Sequence, residues 1–101
     1  MIETEALSML SALAQPTRLG VITLLARVGD HGMASSEIAD AIGVPRHLMS
    51  AHLAVLSKGG VVTARKAGRN VTYSVRTEAI VKLTDHLKDL VVTHASADPP
   101  A

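Results

Sequence analysis

Two histidines, His47 and His52, flank Ser50 in the stretch RHLMSAH, residues 46–52. Histidine can bind a metal ion or accept a proton from a serine hydroxyl, so a metal site or a catalytic pair is conceivable. The stretch follows a Gly-Val-Pro turn and leads into the apolar run LAVL, which predicts a helix over residues 46–57. At about 100° per residue the histidines lie about 140° apart, too far to bind one ion, and Ser50 and His52 point apart.

This predicted helix has two unlike sides. One is apolar and is expected to pack on a core, with His52 as a partly buried imidazole; it comprises Leu48, Met49, His52, Leu53, Val55 and Leu56. The other is small, polar and basic; it comprises His47, Ser50, Ala51, Ala54, Ser57 and Lys58, with Arg46 at its edge. Small residues allow close approach to a DNA groove, where Arg46 could contact a guanine edge or only phosphate. The DNA contacts predicted on this helix are Arg46, His47, Ser50, Ala51 and Lys58. For His47, DNA contact and simple solvent exposure both stay open.

The charges are segregated along the chain, although the net charge is only +1. Residues 41–77 contain six basic residues and no acidic one, whereas the rest contains four basic and all nine acidic residues. Such segregation is typical of a surface that binds a polyanion; a solvated basic face without a partner is the alternative. Arg65, Lys66 and Arg69 of this segment are predicted at or near a hairpin tip as further DNA contacts, with Lys66 and Arg69 favoured for phosphate or the minor groove. A solvated tip whose charges serve only solubility is the alternative.

The remaining periodicities predict a mainly α-helical fold with one small hairpin. Helices are expected over 3–14, 16–27, 37–42 (capped by Ser35 or Ser36), 46–57 and 77–95, with strands at 61–65 and 71–75. The order α-α-α-α-β-β-α is that of a winged helix–turn–helix, in which the second helix of the pair can enter the major groove. We expect a single domain over 1–95 and a flexible tail over 96–101.

Composition excludes several function classes. The chain has no cysteine and a single aromatic residue, Tyr73, which argues against thiolate chemistry and against single-strand binding by base stacking. No secretory signal and no membrane-spanning apolar run is recognisable, so a cytoplasmic protein is expected. No nucleophile–base pair or phosphate-binding loop stands out, and we predict that the protein is not an enzyme.

Three stretches together resemble the ArsR/SmtB family of small dimeric winged helix–turn–helix repressors: LAQPTRLGVITLL, MSAHLAVLSKGGVV and RKAGRNVTYSV. The resemblance covers nearly the whole chain. It implies a homodimer that binds a double-stranded DNA operator of two-fold pseudo-symmetry and is released by an inducer. A winged-helix module that binds DNA or a protein without its own ligand switch, under the control of a partner protein, is the alternative.

The family's dimer interface uses the first and last helices. Leucine-type residues at coiled-coil spacing give an independent reason to expect pairing there; the predicted interface residues are Met9, Leu13, Ile80, Leu83, Leu87 and Leu90. That these residues form only the chain's own core is the alternative.

Metal-sensing members of the family carry cysteines, or Asp-x-His and His-x-x-Glu or His-x-x-His patterns, and this chain departs from both. We therefore predict no cofactor and no metal site. His86, Asp89 and His94 are the residues that could complete one with a partner helix.

Overall fold

The computed structural model describes the backbone of residues 1–97 and the side chains of residues 1–93. The predicted element order is confirmed, with one additional short strand. The elements are α1 (Glu3–Leu13), α2 (Pro16–Val28), β1 (Met33–Ala34), α3 (Ser35–Ile42), α4 (Arg46–Lys58), β2 (Val62–Ala67), β3 (Asn70–Val75) and α5 (Thr77–Ala97). α5 continues two residues into the predicted tail, and the other tail residues, 98–101, lie outside the described residues.

No single helix in the described part of the chain is long and apolar enough to cross a membrane. As a pair, α1 and α2, which meet at a bend of 96°, match the length and composition of a broken span, and no more than that.

The three strands form one antiparallel sheet in the order β1-β3-β2. β1 was not predicted, because two residues carry no readable period; Met33 pairs with Tyr73 and so connects the hairpin to the start of α3. The hairpin is tighter than predicted, since Ala67 pairs with Asn70 and only two residues form the loop. Gly68 takes the first loop position with φ +64°, a conformation that a two-residue hairpin of type II′ requires there.

The start of α3 differs from the prediction. The helix begins at Ser35 itself, and Ala34 occupies the capping position. The carboxylate of Glu37 accepts a hydrogen bond from the Ala34 backbone N–H at 3.0 Å, so neither Ser35 nor Ser36 is the cap. α3 ends at Gly43 as predicted.

The core lies where α1 to α4 meet the sheet and the start of α5. Its largest fully buried side chains are Val21, Leu25, Ile38, Met49, Leu53, Leu56 and Val61. Met9 and Leu83, predicted for the dimer interface, are each only 3% exposed within this core. The prediction is wrong for these two because their side chains are already covered by their own chain.

The apolar side of α4 is narrower than predicted. Met49, Leu53 and Leu56 are fully buried, whereas Leu48 is 47% and Val55 41% exposed. A stripe at spacings of four and three occupies about one third of a helix, and Val55 lies one turn after Ala51 on the other side. The assignment of Leu48 and Val55 to the packed side is therefore wrong.

Arg18 connects three helices at the edge of the core. Its backbone N–H donates to the Gln15 side chain at 2.8 Å, which caps the start of α2. Its Nε donates to the carbonyl of Ala12, near the end of α1, at 2.6 Å. Its Nη1 lies 3.4 Å from Nδ1 of His52 on α4. The prediction that His52 is a half-buried imidazole with a partner is confirmed.

α1 packs closely against Gly59, the residue that follows α4. A Cβ at this position would lie 2.7 Å from Cβ of Ala12 and 3.2 Å from the carbonyl oxygen of Ser8. The backbone of Gly59 has φ −73°, which any residue can adopt, so the restriction comes from the missing side chain alone.

We predict that Gly59→Ala lowers the free energy of unfolding by about 1–3 kcal/mol, because α1 and α4 must move apart. Gly20→Ala is the matched control. Its Cβ would meet only Ile42 Cδ1, at 3.9 Å, and alanine should stabilise the middle of α2 by about 0.5–1 kcal/mol. Urea unfolding of both variants measures the effects, and equal stability of the two would contradict the close contact.

The two histidines of α4 should respond differently to truncation. His52→Ala removes the contact with Arg18 and should cost about 1 kcal/mol or more in the free energy of unfolding. His47 is exposed, so His47→Ala should change stability by less than about 0.5 kcal/mol. Thermal and urea unfolding of the two variants measure these effects. A larger loss of stability for His47→Ala than for His52→Ala would show that α4 is rotated differently about its axis.

Candidate nucleic-acid interface

α3, the turn at residues 43–45 and α4 form a helix–turn–helix whose second helix has one side open to solvent. Ile38 and Ala39 of α3 are fully buried beside Met49 and Leu53 of α4, so the two helices share one core. The residues that point away from this core are exposed: Arg46, His47, Ser50, Ala51 and Ala54. The structure thus brings four of the predicted DNA-binding residues, Arg46, His47, Ser50 and Ala51, onto one open surface.

Arg46 begins α4 and makes one ion pair. Its Nη2 lies 3.3 Å from Oδ2 of Asp40, on the last turns of α3. Both side chains are well exposed, at 69% and 66%. The contact engages a single atom of a guanidinium that has five N–H donors, so the pair leaves donors for another acceptor.

Two cations stand at the far end of the hairpin formed by β2 and β3, called the wing from here on. Arg69 occupies the second loop position and Lys66 the strand position before Ala67, and both are exposed. Arg65 lies near the tip, two residues before the end of β2, but its guanidinium is directed away from the loop. Its Nη2 donates to the backbone carbonyl of Asp30 at 2.8 Å, so its guanidinium is turned toward the turn before β1. Neighbouring residues of a strand point to opposite faces, which separates Arg65 from Lys66.

The ion pairs of the described residues lie at the two borders of the acid-free segment. Asp40, just before it, pairs with Arg46, and Glu78, just after it, pairs with Arg76 at 3.5 Å. Arg76 also donates to the carbonyl of Gly60 at 3.2 Å, which supports the turn between α4 and β2. Between these borders, the side chains of α4 and the wing present positive charge without acidic neighbours in sequence.

Lys58 stands apart from the other predicted contacts. It is on the last turn of α4, about 18 Å along the helix axis from Arg46 at 1.5 Å per residue. There it lines a cleft together with Ser8 of α1 and Lys82 of α5. A DNA contact from Lys58 would need a duplex that also reaches this end of the helix.

The residues named for a metal site are only partly described. His86 is half-buried and Asp89 exposed, and both line an open cleft with Glu5 and Asp85. Among the described side chains, no group of three or more His, Cys, Asp or Glu residues is placed to hold a metal ion. The side chain of His94 lies outside the described residues.

Two charged residues that contact α4 were missed from the sequence. Arg18 and Asp40 contact α4 residues from other helices, 34 and six positions away in the chain. No periodicity marks such partners; the only signals are the Gln-Pro-Thr-Arg helix start and the place of Asp40 immediately before the acid-free segment.

Comparison with known proteins agrees with this architecture. Residues 13–65 match the model of a helix-turn-helix domain family. An HTH-type transcriptional regulator of Methanocaldococcus jannaschii is 40% identical over 86 residues, which is 82% of this chain and 94% of that protein. The HTH-type transcriptional repressor SmtB of Mycobacterium tuberculosis is 36% identical over 94 residues. The match covers 89% of this chain but 62% of the length of SmtB.

A solved structure shares the fold over almost the whole chain. It is the homodimeric winged helix-turn-helix DNA-binding domain of a possible ArsR-family transcriptional regulator from Mycobacterium bovis, with a TM-score of 0.70 and 28% identity. The superposition covers 97% of this chain and 88% of the other. Helix–turn–helix, wing and relatives lead to one assignment: the chain belongs to the ArsR/SmtB family of winged helix–turn–helix transcriptional regulators, which are not enzymes.

Proposed function

We propose that this chain is a transcriptional repressor that binds a double-stranded operator as a homodimer in the cytoplasm and leaves it when an inducer binds. The observation that carries the proposal is the exposed side of α4 together with the wing, within a segment of 37 residues, 41–77, that contains no acidic residue. A helix of this size fits the major groove, and a two-stranded ribbon reaches the neighbouring backbone or minor groove.

The proposed contacts divide into two kinds. Arg46, His47, Ser50 and Ala51 occupy the first two turns of α4, where a recognition helix contacts base edges. Lys66 and Arg69 lie near or at the end of the wing, where they suit phosphates or the minor groove. All of these groups belong to the chain itself, and the proposal assigns no metal or cofactor to DNA binding.

A second exposed surface supports the homodimer. α1 and α5 border a mainly apolar cleft, which is lined by Glu3, Ala6, Leu7, Leu10, His86, Leu87 and Leu90. Leu7 is 57%, Leu10 37%, Leu87 37% and Leu90 46% exposed. Contiguous exposed leucines on two helices are typical of an interface, and the Mycobacterium bovis structure is homodimeric. Two copies related by a two-fold axis would present two α4 helices to two operator half-sites.

The proposal is tested with a high-affinity duplex selected from random sequences, in buffer with a chelator because no metal is assigned to DNA binding. We expect a two-fold symmetric consensus and a log affinity that falls linearly with log salt concentration, by about 0.9 for each phosphate neutralised. Tight binding to an acidic protein with no duplex binding at low salt would support the interaction-module alternative instead.

Substituting Arg46 and substituting Arg69 should weaken DNA binding in different ways. Arg46→Ala should weaken operator binding by about 1–3 kcal/mol per base contact and relax the preference at one position of each half-site. Arg69→Ala should weaken binding to all duplexes alike and flatten the salt slope by about one unit per altered wing. Fluorescence anisotropy with operator and scrambled duplexes at several salt concentrations separates the two patterns. Unchanged operator affinity in both variants would rule out this binding surface.

The dimer is tested by a charge on its proposed surface. Leu90→Glu should give a folded monomer that binds single half-sites weakly, because the carboxylate would be buried in an apolar interface. Leu19→Glu is the matched control, since Leu19 is 54% exposed on α2, away from the α1–α5 cleft, and this variant should remain dimeric. Light scattering after size exclusion measures the mass; a monomeric wild type, or a dimer of Leu90→Glu, would contradict the assignment.

A further inference from the structure

Asp40 is an acidic residue at the border of a surface proposed to bind a polyanion. It lies on α3 and is exposed, and its Oδ2 is 3.3 Å from Nη2 of Arg46, the first residue of α4. Charge alone predicts that a carboxylate here opposes DNA binding. An exposed ion pair adds little to the stability of the fold, so stability does not explain the arrangement either.

The geometry gives Asp40 a different effect. An exposed arginine side chain samples many rotamers, and ordering it on a base costs free energy at the moment of binding. Asp40 is attached to a helix whose Ile38 and Ala39 are fully buried, so its own backbone position is fixed. A carboxylate in that place restricts the guanidinium before DNA arrives, and the single contact leaves N–H donors for the O6 and N7 acceptors of a guanine.

We propose that Asp40 is a positioning residue that holds the Arg46 guanidinium for reading a guanine in each operator half-site. This inference rests on the proposed operator binding and adds the residue that sets its base preference. The proposal predicts two opposite effects of one substitution on DNA binding. Removing the charge of Asp40 should strengthen binding to any duplex, because repulsion of phosphates is lost, while it weakens the preference for guanine, because Arg46 is no longer held.

The test uses Asp40→Asn in the full-length protein and three duplexes. These are the selected operator, the same operator with 7-deazaguanine at the position that depends on Arg46, and a scrambled sequence. The deaza base lacks the N7 acceptor but keeps its pairing, so the ratio of the first two affinities measures guanine reading. A bidentate arginine–guanine contact corresponds to about 5- to 150-fold discrimination in total. We expect Asp40→Asn to reduce the measured ratio at least about threefold and to raise affinity for the scrambled duplex.

Two controls isolate the positioning effect. Asp85→Asn makes the same charge change on α5, outside the helix–turn–helix, and should leave the guanine ratio unchanged. In an Arg46→Ala background, Asp40→Asn should have no further effect on that ratio, because the two residues act through one contact.

The outcomes separate this inference from the proposed function. If Asp40→Asn raises the affinity for all three duplexes by the same factor, Asp40 merely repels DNA and the inference is wrong. An unchanged ratio with unchanged affinities overturns it as well. If the wild type itself does not distinguish operator from scrambled duplex, the proposed function fails and this inference fails with it.

Discussion

The rotation of α4 about its own axis is fixed by three side chains, and the proposed DNA surface depends on that rotation. Met49, Leu53 and Leu56 are fully buried, and complete burial of three such residues contributes roughly 5–9 kcal/mol. Turning the helix by one residue position would expose part of this stripe, so the side carrying His47, Ser50 and Ala51 has to face solvent. The Arg18–His52 contact reinforces the same orientation from the edge of the core. The packing of the buried side of α4 therefore determines which of its side chains are available to contact DNA.

The second feature of this exposed side is the distribution of charged residues on and around it. The acid-free segment runs from the end of α3 to the start of α5. Of its cations, Arg46 begins α4, and Lys66 and Arg69 lie near or at the end of the wing, whereas Lys58, Arg65 and Arg76 are directed elsewhere. The described ion pairs sit at the two borders, where Asp40 and Glu78 contact Arg46 and Arg76. Arg76 also supports the turn after α4 through its hydrogen bond to the carbonyl of Gly60, and Asp40 contacts the first residue of α4. A net charge of only +1 is therefore compatible with a locally basic surface on α4 and the wing.

Most helices could be predicted from the sequence because their apolar periods and end signals agree, as at Pro16 and Gly43. The predictions that were wrong or missing concern features that depend on residues far away in the chain. Two-residue β1 exists only because β3 lies beside it. Residue type places Leu48 and Val55 with the core, but burial depends on which other elements pack against each residue, and both remain exposed. Met9 and Leu83 were predicted in the dimer interface for the same reason. Their side chains are instead buried within their own chain, which leaves almost no surface for a partner. Predicting the dimer surface would also require knowing how α1 and α5 are placed relative to each other.

An NMR titration of the isotope-labelled protein with the selected operator duplex tests the central claim most directly. If α4 and the wing form the DNA surface, backbone amide shifts should be largest at residues 46–51 and 66–69. The imidazole signals of His47 should move much more than those of His52, which is held against Arg18. Changes confined to α5, or a His52 response larger than that of His47, would contradict the assignment of this surface.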